Sequence, residues 1–196
     1  AQCEINRTAS SFIPTTTVGV ERTADVVSTT TMGWHDQLTG TYYAEYTTKV
    51  TTGLQTVLAS PFSSGDDTPM AGSFYTNAAL AYLLVKDASA TIADVSVAFN
   101  NDGTTNRQSG AYSLNDFQGY VNGVASAHDT AGTLPNTVHG YFAVGDGAGL
   151  GILTGHVQEV RFYDVRKIDT FLDDLSNGLI TEEAGGVNPL IIYIGI

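Results

Sequence analysis

Tyr120-Val121-Asn122-Gly123-Val124 carries the clearest local instruction in the chain. An Asn-Gly pair between β-branched neighbours supplies the two positive φ angles of a two-residue type I′ turn, whose twist matches that of the strands it joins. These five residues predict a tight hairpin. Upstream, residues 41–50 (Thr-Tyr-Tyr-Ala-Glu-Tyr-Thr-Thr-Lys-Val) form a β-branched and aromatic run behind Gly40, and 54–59 form a shorter one. Residues 61–70 read as a loop from their Pro, Ser, Gly and Asp content. The apolar run 79–85 is short and flanked by loops, which favours a strand over a buried helix segment. Residues 91–99 set Ile92, Val95 and Val97 among small and polar neighbours before the turn cluster Asn100-Asn101-Asp102-Gly103.

Downstream of the hairpin, 140–145 and 155–164 complete the strand set. In the latter, Val157, Val160 and Phe162 fall out of period-two register, which predicts a bulge. One helix follows, with Asp169 as its cap, Phe171, Leu172 and Leu175 on one face, and Asn177-Gly178 as its stop. Many short strands separated by Gly and Asn turns, with a single late helix, predict an all-β antiparallel sandwich or barrel rather than βαβ units.

The 196 residues are ample for one such domain with a core that needs no staples. Three parts are expected: an extended junction over 1–25, stiffened by Pro14 and the threonines after it; a sandwich over 26–181; and an apolar tail over 182–196. A formal charge of −12 with eight Lys and Arg argues against nucleic acid, whose phosphates need clustered cations, and against anionic membranes. No run of 18 apolar residues is present, so no membrane insertion is expected. Charged residues make up 14% of the chain, against about 25% in ordinary soluble domains; Thr, Ser, Gly and Asn take their place. Cys3 is the single cysteine, so no intrachain disulfide can form.

Three stretches carry a resemblance to a known family. The first is Ala1-Gln2-Cys3-Glu4 with Ala9-Ser10-Ser11-Phe12-Ile13-Pro14 and Arg22-Thr23-Ala24-Asp25. The second is Gly40-Thr41-Tyr42-Tyr43-Ala44-Glu45-Tyr46. The third runs from Gly110-Ala111-Tyr112 through Asn115-Asp116-Phe117 to the Asn-Gly hairpin and Gly132-Thr133-Leu134-Pro135. In this order they resemble the concanavalin A-like, laminin-G-like jelly-roll domains of phage tail and fibre proteins. The resemblance implies a two-sheet antiparallel jelly-roll sandwich with one short C-terminal helix. It also implies a non-enzymatic virion appendage (tail fibre, spike or head fibre) on the virion surface, extracellular, that attaches to a host surface or glycan. Its partners would be copies of itself, as a homo-oligomer and typically a trimer, and other virion proteins. An architectural or decoration role with no external ligand, and a polysaccharide hydrolase or lyase, are the alternatives. The segment 60–106 is longer and more polar than the family pattern and reads as an insertion.

The chemistry is weighed on a few residues. Glycoside cleavage needs two carboxylates at a set distance across the sugar, and Glu45 and Glu159 each stand isolated in their strands, so no catalytic residue is assigned. The pairs His35-Asp36 and His128-Asp129 are sequence neighbours, which point to opposite faces of a strand and read as solvated turns. No cofactor is implied beyond calcium, for which Asp66, Asp67, Asn100 and Asp102 offer hard oxygen ligands in loops, with ordinary Asx turns as the competing reading. Trp34, Tyr43, Tyr75 and Tyr141 lie near strand ends and are the candidates for glycan contact, with core packing as their alternative role.

Overall fold

Alternating inward and outward side chains divide the chain between two facing sheets in a computed structural model, which describes residues 27–49, 53–61, 70–87, 90–135, 140–145, 151–180 and 190–193. The elements are β1 (Val27–Thr29), β2 (Gly40–Thr48), β3 (Gln55–Ala59), β4 (Met70–Thr76), β5 (Leu80–Asp87), β6 (Ala90–Ala98), β7 (Thr105–Ser113), β8 (Asp116–Val121), β9 (Val124–Ala125), β10 (Phe142–Val144), β11 (Gly155–Tyr163), α1 (Asp169–Ser176) and β12 (Leu190–Tyr193). One six-stranded sheet has the order β1-β10-β3-β4-β5-β6 and the other β12-β11-β2-β7-β8-β9. Every neighbouring pair is antiparallel.

The period of two is clearest on β2. Tyr42, Ala44 and Tyr46 point into the sandwich, where they meet Phe74, Tyr112, Phe117, Phe142 and Phe162, while Tyr43 faces outward into a separate cluster. Each of these buried rings contributes roughly 2 kcal/mol through the apolar surface it removes from water. Gly110 on β7 lets the two layers approach: a Cβ there would stand 2.8 Å from the Phe74 ring. One buried hydrogen-bonded relay ties the layers together. The Tyr46 hydroxyl donates to Gln108 Oε1 at 2.9 Å, and Gln108 Nε2 donates to the Tyr82 carbonyl on the opposite sheet at 2.9 Å. Tyr46→Phe leaves the buried amide oxygen of Gln108 without its donor, and chemical denaturation is expected to show a loss of about 1–3 kcal/mol.

The Asn-Gly hairpin forms as the sequence dictates. Asn122 (φ 50°) and Gly123 (φ 78°) join β8 to β9. A Cβ at Gly123 would also strike the side chain of Asn177 behind the helix. The predicted bulge lies between Val157 and Glu159 on β11, so that Val157 and Val160 both reach the core while Gln158 is exposed.

Three expectations are corrected. Segment 60–106 is no insertion: it supplies β4, β5 and β6, half of one sheet. Residues 61–70 were expected to loop throughout, but Met70 already begins β4, and 62–69 lie outside the described residues. Asp169 does not cap α1. Ile168 occupies that position with extended backbone and no side-chain cap, and Asp169 opens the helix, where a carboxylate complements the partial positive charge of the helix N-terminus. The helix lies on the outer face of the β7–β8 side, burying Leu172 and Leu175, with Phe171 edge-on to Tyr163. Ser109 Oγ anchors it by donating to the Leu172 carbonyl at 2.7 Å. Of the apolar tail, Leu190–Tyr193 pair with β11 of the same chain as an edge strand. The junction over 1–25 lies outside the described residues.

Candidate functional site

The segment between β1 and β2 is held by its own turns and by the core beneath it. Trp34 Nε1 donates to the Thr31 carbonyl at 2.7 Å, and the His35 amide donates to the Met32 carbonyl at 2.9 Å. The Trp34 ring packs edge-on against Phe142 and Phe162 at centroid distances of 5.3 and 5.2 Å. His35 stacks on Phe162 at 5.2 Å, and the Tyr112 hydroxyl donates to the Asp36 carbonyl at 2.5 Å. Asp36 Oδ1 in turn accepts the Leu38 amide at 2.8 Å. A loop fixed at so many points is preorganised, and it walls an open recess of about 670 Å³ lined by Trp34, His35, Asp36, Gln37 and Leu38, with Gly140 and Asp164 approaching from distant parts of the chain. That size lies in the usual range for a small-ligand site, and an aromatic ring beside a few polar groups is its usual lining.

Among the four aromatic candidates, only Trp34 lines this recess. Tyr43 is buried beneath α1, with its hydroxyl donating to Glu45 Oε2 at 3.0 Å and Arg161 5.2 Å above its ring. Tyr75 is 1% exposed and packs with Ala59, Tyr82 and Leu84. Both are corrected to packing residues, because a sandwich of this thickness buries aromatics on both sides of its sheets. Tyr141 is half-buried next to Gly140 and does not line the recess.

The two calcium candidates among the described residues, Asn100 and Asp102, are engaged in turn contacts. Asp66 and Asp67 lie outside the described residues. Asp102 Oδ1 accepts from both the amide and the hydroxyl of Thr104, at 2.9 and 2.6 Å, and those bonds hold its carboxyl below the usual carboxylate range. Asn100 exchanges backbone bonds with the Asn106 side chain. These are turn-forming contacts, and among the described residues no three His, Cys, Asp or Glu side chains group to hold a metal ion. His128 pairs with Asp116 at 2.7 Å rather than with its neighbour Asp129.

Glu45 and Glu159 are not isolated from each other: they are register partners on β2 and β11. Two carboxylates side by side repel, and each is neutralised by an arginine. Arg107, the register partner of Glu45 on β7, reaches Glu45 Oε2 at 3.0 Å. Arg161 grips Glu159 with two bonds of 2.7 and 3.1 Å. The outer face of this sheet thus carries the row Arg107, Glu45, Glu159, Arg161, invisible in the sequence because its members come from three strands.

Two facing antiparallel sheets with a short late helix define a concanavalin A-like all-β sandwich. Solved structures share it at low identity. The CBM40 of the Ruminococcus gnavus IT-sialidase is 14% identical with a TM-score of 0.59, over 71% of this chain and 83% of that one. The NanB sialidase of Streptococcus pneumoniae is 15% identical with a TM-score of 0.62, over 78% of this chain and 27% of that one. Botulinum neurotoxin type C, whose cell entry depends on interaction with two ganglioside molecules, is 7% identical with a TM-score of 0.53, over 73% of this chain and 36% of that one. No family model and no curated protein matches the chain.

Proposed function

We propose that this chain is a non-catalytic glycan-binding sandwich domain whose ligand enters the recess beside Trp34. The observation that carries the reading is the rigid β1–β2 loop, which holds the Trp34 indole, the Asp36 carboxylate and the Gln37 amide around one opening that Asp164 faces from beyond β11. The fold is the one used by a sialidase CBM40 and by a toxin that interacts with gangliosides, and it hosts many activities, so the site carries the argument. Non-catalytic action is supported by the outer-face carboxylates: Glu45 and Glu159 are both committed to arginines and lie on the sheet face that α1 also covers, away from the Trp34 recess.

The finer reading is that the domain sits on a virion appendage, exposed outside the cell, as one of several identical subunits that attach to a host surface. It rests on the stretches that resemble phage tail and fibre jelly rolls. Light scattering on the full chain tests the oligomer, with a monomer at micromolar concentration removing it.

Trp34 is the sole tryptophan, so its fluorescence reports on the recess directly. Titration with host-envelope oligosaccharides is expected to shift its emission saturably. Asp164→Ala, at an exposed position on the recess wall, is expected to weaken binding about tenfold, the worth of one well-placed hydrogen bond to a charged group, with thermal stability retained. Absence of any saccharide response would leave the architectural role in its place.

A further inference from the structure

The polar groups around the recess are predominantly acceptors. Asp36 and Asp164 present carboxylates, Trp34 has already spent its N–H on Thr31, Gln37 Nε2 donates to the Pro135 carbonyl at 3.4 Å, His35 Nε2 stands 3.3 Å from the Tyr112 hydroxyl, and among the described residues no lysine or arginine lines the recess. The two cations that follow Asp164 in sequence are turned elsewhere. The Arg166 amide donates to Thr39 Oγ1 at the base of the loop, but its guanidinium stands 2.7 Å from both Asp116 and Asp169. Lys167 Nζ sits over the rings of Tyr163 and Phe171 at 4.9 and 5.0 Å. The chain as a whole carries −12.

An acidic sugar entering here would bring its carboxylate next to two others, with no lysine or arginine among the described lining residues to receive it, in a repulsive overall field. A neutral pyranose brings hydroxyl donors that the carboxylates accept, and an apolar ring face that suits an indole. We infer that the recess binds neutral hexose-terminated glycans and rejects sialylated and uronic ones, unlike the Ruminococcus gnavus CBM40, whose structure holds sialyllactose. The inference rests on the glycan-binding reading above and gives it a ligand class.

Matched probes separate the two. Lactose, maltose, cellobiose and mannobiose are titrated against sialyllactose and digalacturonic acid, with Trp34 emission and calorimetry read together. At least one neutral probe is expected to bind with a Trp34 response, and the acidic probes to bind more weakly by about tenfold or more. Asp164→Lys is expected to close that gap by strengthening the acidic probes. Acidic probes that bind with a Trp34 response as tightly as any neutral one would overturn the inference and leave glycan binding standing. Heat of binding without a Trp34 response would place the ligand elsewhere and overturn it as well. Silence from every probe would remove glycan binding of these classes and the inference together.

Discussion

Arg161→Ala is expected to destabilise the domain by about 3–5 kcal/mol, the cost of stranding one member of a buried ion pair. Arg161 is 6% exposed and holds both oxygens of Glu159, whose side chain is itself only 13% exposed. It also donates to the Ile180 carbonyl at 3.2 Å beyond α1 and covers the Tyr43 ring. Its removal leaves Glu159 poorly solvated beside its register partner Glu45, so the lost attraction becomes a repulsion. Arg161→Lys restores the charge without the two-pronged fork and should recover only part of the loss. The double variant Arg161→Met with Glu159→Leu removes both charges and should regain most of it. Urea unfolding of the three variants tests this order. A loss under about 1 kcal/mol for Arg161→Ala, the size usual for exposed pairs, would show that the pair is solvated.

The same row marks the limit of what the sequence discloses. A two-residue turn is local, and Asn122-Gly123 specifies its hairpin with no outside help. The bulge on β11 is equally local, because Val157 and Val160 are near neighbours in one strand. By contrast β7, Thr-Asn-Arg-Gln-Ser-Gly-Ala-Tyr-Ser, has almost no apolar alternation and reads as no strand at all. Its buried Gln108 and Ser109 are stabilised by partners on other elements: Tyr46 with Tyr82, and Leu172. Hydrogen-bond satisfaction across the fold replaces hydrophobic period, and no window of sequence contains it. Segment 60–106 misleads only through its polar first part, since the strands that follow bury Phe74, Leu83, Val85 and Val95 in the core.

The recess follows the same division. Trp34 stands out as an aromatic in the loop between two strands, but the opening it lines is closed by Gly140 and Asp164, both more than a hundred residues away along the chain. Tyr43 and Tyr75 have the same residue type and similar local settings, and only the helix and sheet packed over them distinguish their roles from that of Trp34.

The tyrosine-rich interior sets the second large effect, an abrupt alkaline unfolding. Tyr42, Tyr46 and Tyr112 are fully buried, and burial pushes each phenol well above its ordinary value of 10.0. A group whose folded value is raised holds its full contribution below the unfolded value and loses it as pH climbs toward the folded one. Stability is therefore expected to be level up to about pH 10 and then to fall, because the unfolded chain gives up at least three protons that the folded chain keeps, and Tyr43, raised by its burial beneath α1, adds to them. Three protons correspond to a slope of about 4 kcal/mol per pH unit, enough to exhaust a typical 5–15 kcal/mol within about one to four units. Tyrosinate absorbance and circular dichroism should then change together in one cooperative step. Tyr46→Phe, though less stable at neutral pH, should show a shallower slope by one proton. Gradual ionisation of all ten tyrosines near pH 10 with the sheet signal intact would mean that these phenols are not sealed between the sheets, and the packed aromatic core would lose its main support.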